Sequence, residues 1–201
     1  VGMGLIGGSY AKALRRLGVK KIIGVDTDGK VLRQAQEQAV IDEALCGAGP
    51  GLQAADVVIC SVYPAATLDF VKSAVPFLQS DVLITDATGI KGSLPEDVQR
   101  LLTGRMEFIA GHPMAGRHGS GLGMSQAEIF DGANYIVVPA AFNSSGAIEW
   151  LSSFAGAIGC GQVVQVDAVE HDRIIAYTSN LPHALAVALI NSASYNENTK
   201  Y

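Results

Sequence analysis

Two of the four histidines stand where chemistry is favoured. His112 lies in AGHPMAGRHGSG, residues 110–121, at the expected end of an apolar strand and at the mouth of a glycine-rich loop with room for a ligand. Imidazole accepts a proton near neutral pH, so a neutral His112 can take the proton of a hydroxyl whose carbon gives up hydride. His183 lies in TSNLPHAL, beside a proline that opens a helical stretch. Lys91, in TDATGIKG at 85–92, is expected beside a cofactor or substrate, and His171 is expected to cap or tether the helical region. Ser120 shares the loop of His112. It lacks the strand–Ser–helix turn of a hydrolase nucleophile and is expected as a substrate-binding hydroxyl. His112 and His118 have no convergent third ligand nearby, so no metal site is expected.

Hydride loss needs an acceptor, and the chain opens on VGMGLIGGSYAKAL, where Gly2, Gly4 and Gly7 fit G-x-G-x-x-G. In that turn the first glycine bends the chain, the second lets a pyrophosphate approach the backbone, and the third lets the helix pack on the sheet. Leu5 and Ile6 fall inside the motif, where helix N–H groups point at an anion. Asp26 closes the next strand, where a carboxylate accepts from the adenosine ribose hydroxyls and repels a 2′-phosphate. NAD is therefore favoured over NADP. Later strand ends carry Ser61, Val62 and Pro64, then Thr88 and Gly89, and these loops are expected to flank the cofactor because ligands of open α/β sheets lie outside the strands' carboxyl ends.

These residues need elements to hold them. Hydrophobic periodicity and turn residues predict helices over 9–17, 29–45, 69–78, 94–102 and 147–158. They predict strands over 21–26, 54–64, 80–89, 106–113, 133–140 and near QVVQV at 162–166. Strands alternating with helices imply an α/β fold: a Rossmann-type, doubly wound, mostly parallel sheet covered on both faces. From Val166 the pattern is helical, the expected start of an all-α C-terminal domain. The expected division is a dinucleotide-binding domain over 1–165 and the beginning of a helical substrate and dimerisation domain over 166–201. A buried strand belongs before such a glycine loop, yet only Val1 precedes Gly2, so the first strand is expected to be missing from this sequence.

Composition narrows the partners. With 49% hydrophobic and 16% charged residues the chain can bury a sizeable core. Its net charge of −5 gives no basic footprint for nucleic acid or an anionic membrane. Cys46, Cys60 and Cys160 are odd in number and widely spaced, unlike a disulfide framework, which points to a reducing cytoplasm. No apolar run reaches the roughly 20 residues of a membrane span.

The chain resembles the prephenate and arogenate dehydrogenases of tyrosine biosynthesis. The resemblance rests on GMGLIGGS at 2–9, TDATGIKG at 85–92, GHPMAGRHGSG at 111–121 and EHDRIIAYTSNLPHALA at 170–186. It implies an NAD(P)-dependent oxidative decarboxylation giving 4-hydroxyphenylpyruvate or tyrosine, in a homodimer formed through the helical domain. His112 then matches the histidine that receives the proton of the ring hydroxyl, and His183 the second, substrate-binding histidine. Arg117 falls where the family contacts substrate, with a planar fork suited to a carboxylate. Three departures stand out. The family loop commonly reads D-x-x-S-x-K with a serine near nicotinamide and histidine, and here that place is Gly89, preceded by Thr88. Asn180 stands where S-H-L-P-H is common. The helical domain of the family continues and supplies an arginine for the ring carboxylate, with no matching segment here.

Two other readings remain open on the residues alone. Other Rossmann reductases, such as the β-hydroxyacid dehydrogenases, rely on a lysine in the helical domain, where this chain offers only Lys200. A non-catalytic NAD-binding module needs the glycine loop and Asp26 but not His112, Arg117 and His183.

Overall fold

The computed structural model describes residues 1–192; Lys200 lies outside them. Among the described residues, seven strands and seven α-helices follow one another, mostly in alternation. Strand β1 (Ile23–Val25) pairs in parallel with β2 (Glu43–Leu45). A second sheet runs β3 (Val57–Cys60), β4 (Leu83–Asp86), β5 (Glu107–Pro113), β6 (Asn134–Val138) and β7 (Gln162–Gln165) in that spatial order. All its pairs are parallel except β5–β6, which is antiparallel. This is the mostly parallel Rossmann-type α/β fold expected from the alternation.

Val1 and Gly2 stitch the two sheets together. Val1 N donates to Ile59 O (2.7 Å), Ser61 N to Val1 O (2.8 Å), and Gly2 N to Val25 O (2.8 Å).

Successive strand residues point to opposite faces, and here both faces are buried. Phe108 and Ala110 of β5, with Ile136 and Val138 of β6, join one core with Val58, Ile84, Val98 and Ile175. Ile109 of β5, with Tyr135 and Val137 of β6, joins the other with Tyr10, Leu151 and Phe154. Helix α1 (Leu5–Arg16) and α5 (Ser145–Ala157) cover the second face, while α3 (Pro64–Ala74) and α4 (Leu94–Gln99) cover the first. The start of α5 is pinned to β5: the Glu107 carboxylate accepts from Ser144 N (2.6 Å), Ser144 Oγ (2.8 Å) and Asn143 Nδ2 (3.1 Å).

One expected helix is divided. Residues 29–45 hold α2 (Gly29–Glu37) and then β2. The chain reverses at Ala39, which has φ of 54°, and Asp42 accepts from Ile22 N (2.6 Å), locking the new strand beside β1. Other boundaries move by a few residues; α1 starts at Leu5 rather than at 9.

Helix α6 (Ala168–Ile175) begins at Asp167, whose side chain accepts from Glu170 N. It buries His171 and Ile175, four residues apart on one face. A single π turn, Ala176–Asn180, joins it to α7 (Leu181–Ile190). Pro182 has no N–H for the carbonyl one turn back, and such local rewinding absorbs that loss. No helix among the described residues is long and apolar enough to cross a membrane.

Phe108 is fully buried in the strand that carries His112. Phe108→Ala is expected to cost about 3–5 kcal/mol, measured by urea denaturation.

Candidate active site

The glycine loop is built as its spacing requires. Gly2 has φ of 77°, and a Cβ there would lie 2.5 Å from Val62 Cγ1 and 2.7 Å from Ser61 O. A Cβ on Gly7 would fall 1.7 Å from Gly2 O, so only hydrogen lets α1 close on the turn. Gly4 differs: nothing lies within 4 Å of a Cβ placed on it. That open approach beside the N-terminus of α1, where Gly4 is the N-cap, fits a diphosphate. Leu5 and Ile6 form the first turn of α1, half-buried. Asp26 ties the loop to β1: its carboxylate accepts from Met3 N (2.6 Å) and Asp28 N (2.9 Å). Ser61 and Val62 back the turn, and Pro64 begins α3. Ser61 Oγ is buried with no hydrogen-bond partner. The site's donors and space thus fit a dinucleotide.

His112 reaches the site because β5 runs to Pro113, held by antiparallel pairing of His112 with Ile136 and of Pro113 with Tyr135. The loop that follows is anchored back on α1, where Gln126 N donates to Ser9 Oγ (3.0 Å) and Lys12 Nζ to Ser125 O (2.7 Å). His112 Nδ1 lies 2.9 Å from His171 Nε2 on α6, and His171 Nδ1 lies 2.7 Å from Asp172 Oδ1. Asp172 also accepts from Lys91 N and Gly92 N, both at 2.8 Å. The other ring edge of His112 faces Gly89; a Cβ there would stand 3.6 Å from both Nε2 and Cε1.

Beneath the histidine lies an ion pair with no exposed side-chain surface, Lys91 Nζ to Asp86 Oδ2 at 2.7 Å. Lys91 also donates to Gly111 O (2.6 Å) and toward Thr88 Oγ1 (3.3 Å), so three acceptors meet its three N–H bonds. Asp86 accepts from Gly111 N (3.1 Å) and Thr88 N (3.0 Å) and bonds the Thr88 hydroxyl. This corrects one expectation. Lys91 is a buried brace between the β4 loop and β5, with no free donor to contact substrate. Thr88 turns its hydroxyl onto Asp86.

Electrostatics keep His112 neutral. Burial first, then Lys91 and His171, push its pKa down to about 4, against an opposing pull from Asp86 and Asp172. Burial and Lys91 likewise lower His171, although Asp172 opposes them. For Asp172, burial alone would raise the pKa; the hydrogen bonds from Lys91 N, Gly92 N and His171 outweigh it and hold the group below the ordinary carboxylate range.

The remaining expected residues are not gathered here. Arg117 and Ser120 sit exposed in the loop after β5, and His183 is exposed on α7. None has a hydrogen bond or ion pair to another side chain among the described residues. The sequence marks His171 only as a tether, and no local pattern gives Asp172 or Asp86 a role. The EHD triplet at 170–172 was the available signal, but nothing in it says which strand it meets.

The sequence model of the prephenate dehydrogenase nucleotide-binding domain matches residues 10–164. Prephenate dehydrogenase of Bacillus subtilis is 31% identical over 199 residues, covering 98% of this chain and 53% of the relative. The Aquifex aeolicus prephenate dehydrogenase structure, in complex with hydroxyphenyl propionate and NAD+, superposes with a TM-score of 0.87 at 30% identity, covering 94% of this chain and 66% of that one. Synechocystis arogenate dehydrogenase superposes with a TM-score of 0.82 at 28% identity, covering 96% and 68%. The chain spans about half the length of the curated relatives from Bacillus and Lactococcus.

Two outcomes follow from the site. The His112 ring is expected to titrate near pH 4 by NMR, well below the usual 6.5. Its unfolded form binds a proton first, so its contribution to stability is whole above pH 6.5 and is lost as pH falls through 4; His112→Asn removes that part of the pH dependence of unfolding. Lys91→Met strands the buried Asp86 charge and is expected to cost about 3–5 kcal/mol at pH 7, with Asp86→Asn in the same chain restoring part of it in urea denaturation.

Proposed function

The chain belongs to the prephenate dehydrogenase family, and from that premise we propose that the whole protein is an NAD-dependent oxidoreductase of tyrosine biosynthesis, performing the oxidative decarboxylation of prephenate or arogenate. The observation that carries this is a base with an open face: His112 Nε2 looks toward Gly89, at the end of the strand next to β4, in a chain that folds like the Aquifex enzyme bound to NAD+ and hydroxyphenyl propionate. Gly2, Gly4, Gly7 and Asp26 would hold the cofactor, which supplies the hydride acceptor when bound. His112 accepts the proton of the ring hydroxyl at Nε2, so that oxygen becomes a carbonyl as the carbon is oxidised. Loss of carbon dioxide then returns an electron pair to the ring and makes it aromatic. Rate support from a positioned base is typically 100- to 10,000-fold.

Substrate carboxylates need cationic or hydrogen-bond-donor partners, and exposed Arg117 and His183, with Ser120, are proposed to close on them when substrate is bound. Selection of NAD over NADP rests on the Asp26 carboxylate at the end of β1. The division into a dinucleotide domain over 1–165 and a helical domain from 166 is supported by the change from strand alternation to α6 and α7. A homodimer through that helical part is supported by exposed Leu181, Leu185, Leu189 and Ile190 on α7. Three free thiols, Cys46, Cys60 and Cys160, suit the cytoplasm.

The test is NADH formation by the intact protein with prephenate or arogenate and NAD or NADP. Turnover with one substrate should fall at least about 100-fold in His112→Asn with NAD affinity retained. Asp26→Ala should weaken discrimination against NADP. Absence of turnover with both substrates despite NAD binding would sink the reading.

A further inference from the structure

A proton count along the residues behind His112 leaves one arrangement. The Asp172 carboxylate only accepts, and it already takes two backbone N–H groups from Lys91 and Gly92. His171 Nδ1, 2.7 Å away, must therefore carry its proton and donate it. A neutral imidazole has one N–H, so His171 Nε2 holds a lone pair. That lone pair lies 2.9 Å from His112 Nδ1, which must be the donor in its turn. His112 then has no proton on Nε2, the nitrogen that faces Gly89.

We infer that His171 and Asp172 are positioning residues that set the tautomer and ring orientation of His112, so that its Nε2 presents a bare lone pair to the ligand side of the site. The inference rests on the proposed function for its catalytic meaning. His171 is fully buried and lies 59 residues from His112 in sequence, so the pairing exists only because α6 docks on the end of β5. Asp172 fixes that docking through the two backbone bonds from Lys91 and Gly92, at the end of the β4–α4 connection. Gly89 supplies no side chain to orient the ring from the other edge, and among the described residues His112 Nε2 has no protein partner. Orientation therefore comes from the Nδ1 side. When Nε2 gains a proton, the new positive charge sits two hydrogen bonds from the Asp172 carboxylate, with Asp86 also attracting it and Lys91 opposing it.

A merely structural histidine on α6 would make the same contact to the fold without dictating a tautomer, which gives the experiment. Long-range ¹H–¹⁵N correlation spectra of the full-length protein at pH 7, with His112 signals identified by their loss in His112→Asn, report which ring nitrogen is protonated. The expected wild-type state is Nδ1–H with unprotonated Nε2. His171→Phe should mix the two tautomers and lower kcat roughly 10- to 100-fold, a share of what a general base supplies, with KM for NAD unchanged. His171→Gln, whose amide oxygen can still accept from Nδ1–H, should keep the tautomer and recover most of the rate. An Nε2–H tautomer in the wild type overturns the inference without any variant. So does an unchanged tautomer in folded His171→Phe, or in His171→Leu should the larger ring prevent folding. A wild-type protein inactive on both substrates would sink the functional reading alone, since the tautomer is read in the resting protein.

Discussion

A buried ammonium organises the reactive end of this molecule. Lys91 reaches inward from the β4–α4 connection and meets Asp86, Gly111 O and Thr88 Oγ1, three acceptors for three donors. Two desolvated charges are costly unless every polar atom is paired, and here the pairing is complete. Its geometric effect is larger than its net energy. The Lys91 side chain ties the loop to β5 one residue before His112, while its backbone N–H and that of Gly92 hold Asp172 of α6. One residue thereby places the strand that carries the histidine and the helix that supports it.

The sheet provides the rigidity on which that brace acts. Strands β5 and β6 are buried on both faces, with Phe108 and Ile136 in one core and Ile109 and Tyr135 in the other. Close packing of this kind transmits small displacements rather than absorbing them. The antiparallel β5–β6 pair fixes the register of His112 opposite Ile136, so the imidazole leaves the sheet at a set height. Preorganisation of the base therefore begins in the core and not in the loop around it.

At the nucleotide end the logic is reversed, because the site is defined by what is small. Gly7 is closed against Gly2 O and Gly4 is open to solvent, two different uses of one residue type within four positions. Anchoring of the loop after His112 onto Ser9 and Lys12 of α1 joins the nucleotide loop and the reactive histidine through one helix. Neither end can shift without disturbing the other.

The sequence by itself determined the alternation of strands and helices, the glycine turn, Asp26 at the end of β1 and His112 at the end of β5, because each is a local pattern whose physics spans a few residues. Burial periodicity marks the strands, and steric need marks the glycines. It did not reveal β2, three residues whose pairing depends on Asp42 meeting Ile22 and on the reversal at Ala39. Lys91 reads as a neighbour of cofactor or substrate, and lysine is rarely buried; only the assembled loop brings Asp86 and Gly111 O to it. The His112–His171–Asp172 chain was equally hidden, since hydrogen bonds between residues 59 apart arise when α6 docks and not before. Chemistry carried by residue type was legible, whereas protonation, partner and orientation were decided by the tertiary structure, which alone sets distance and desolvation.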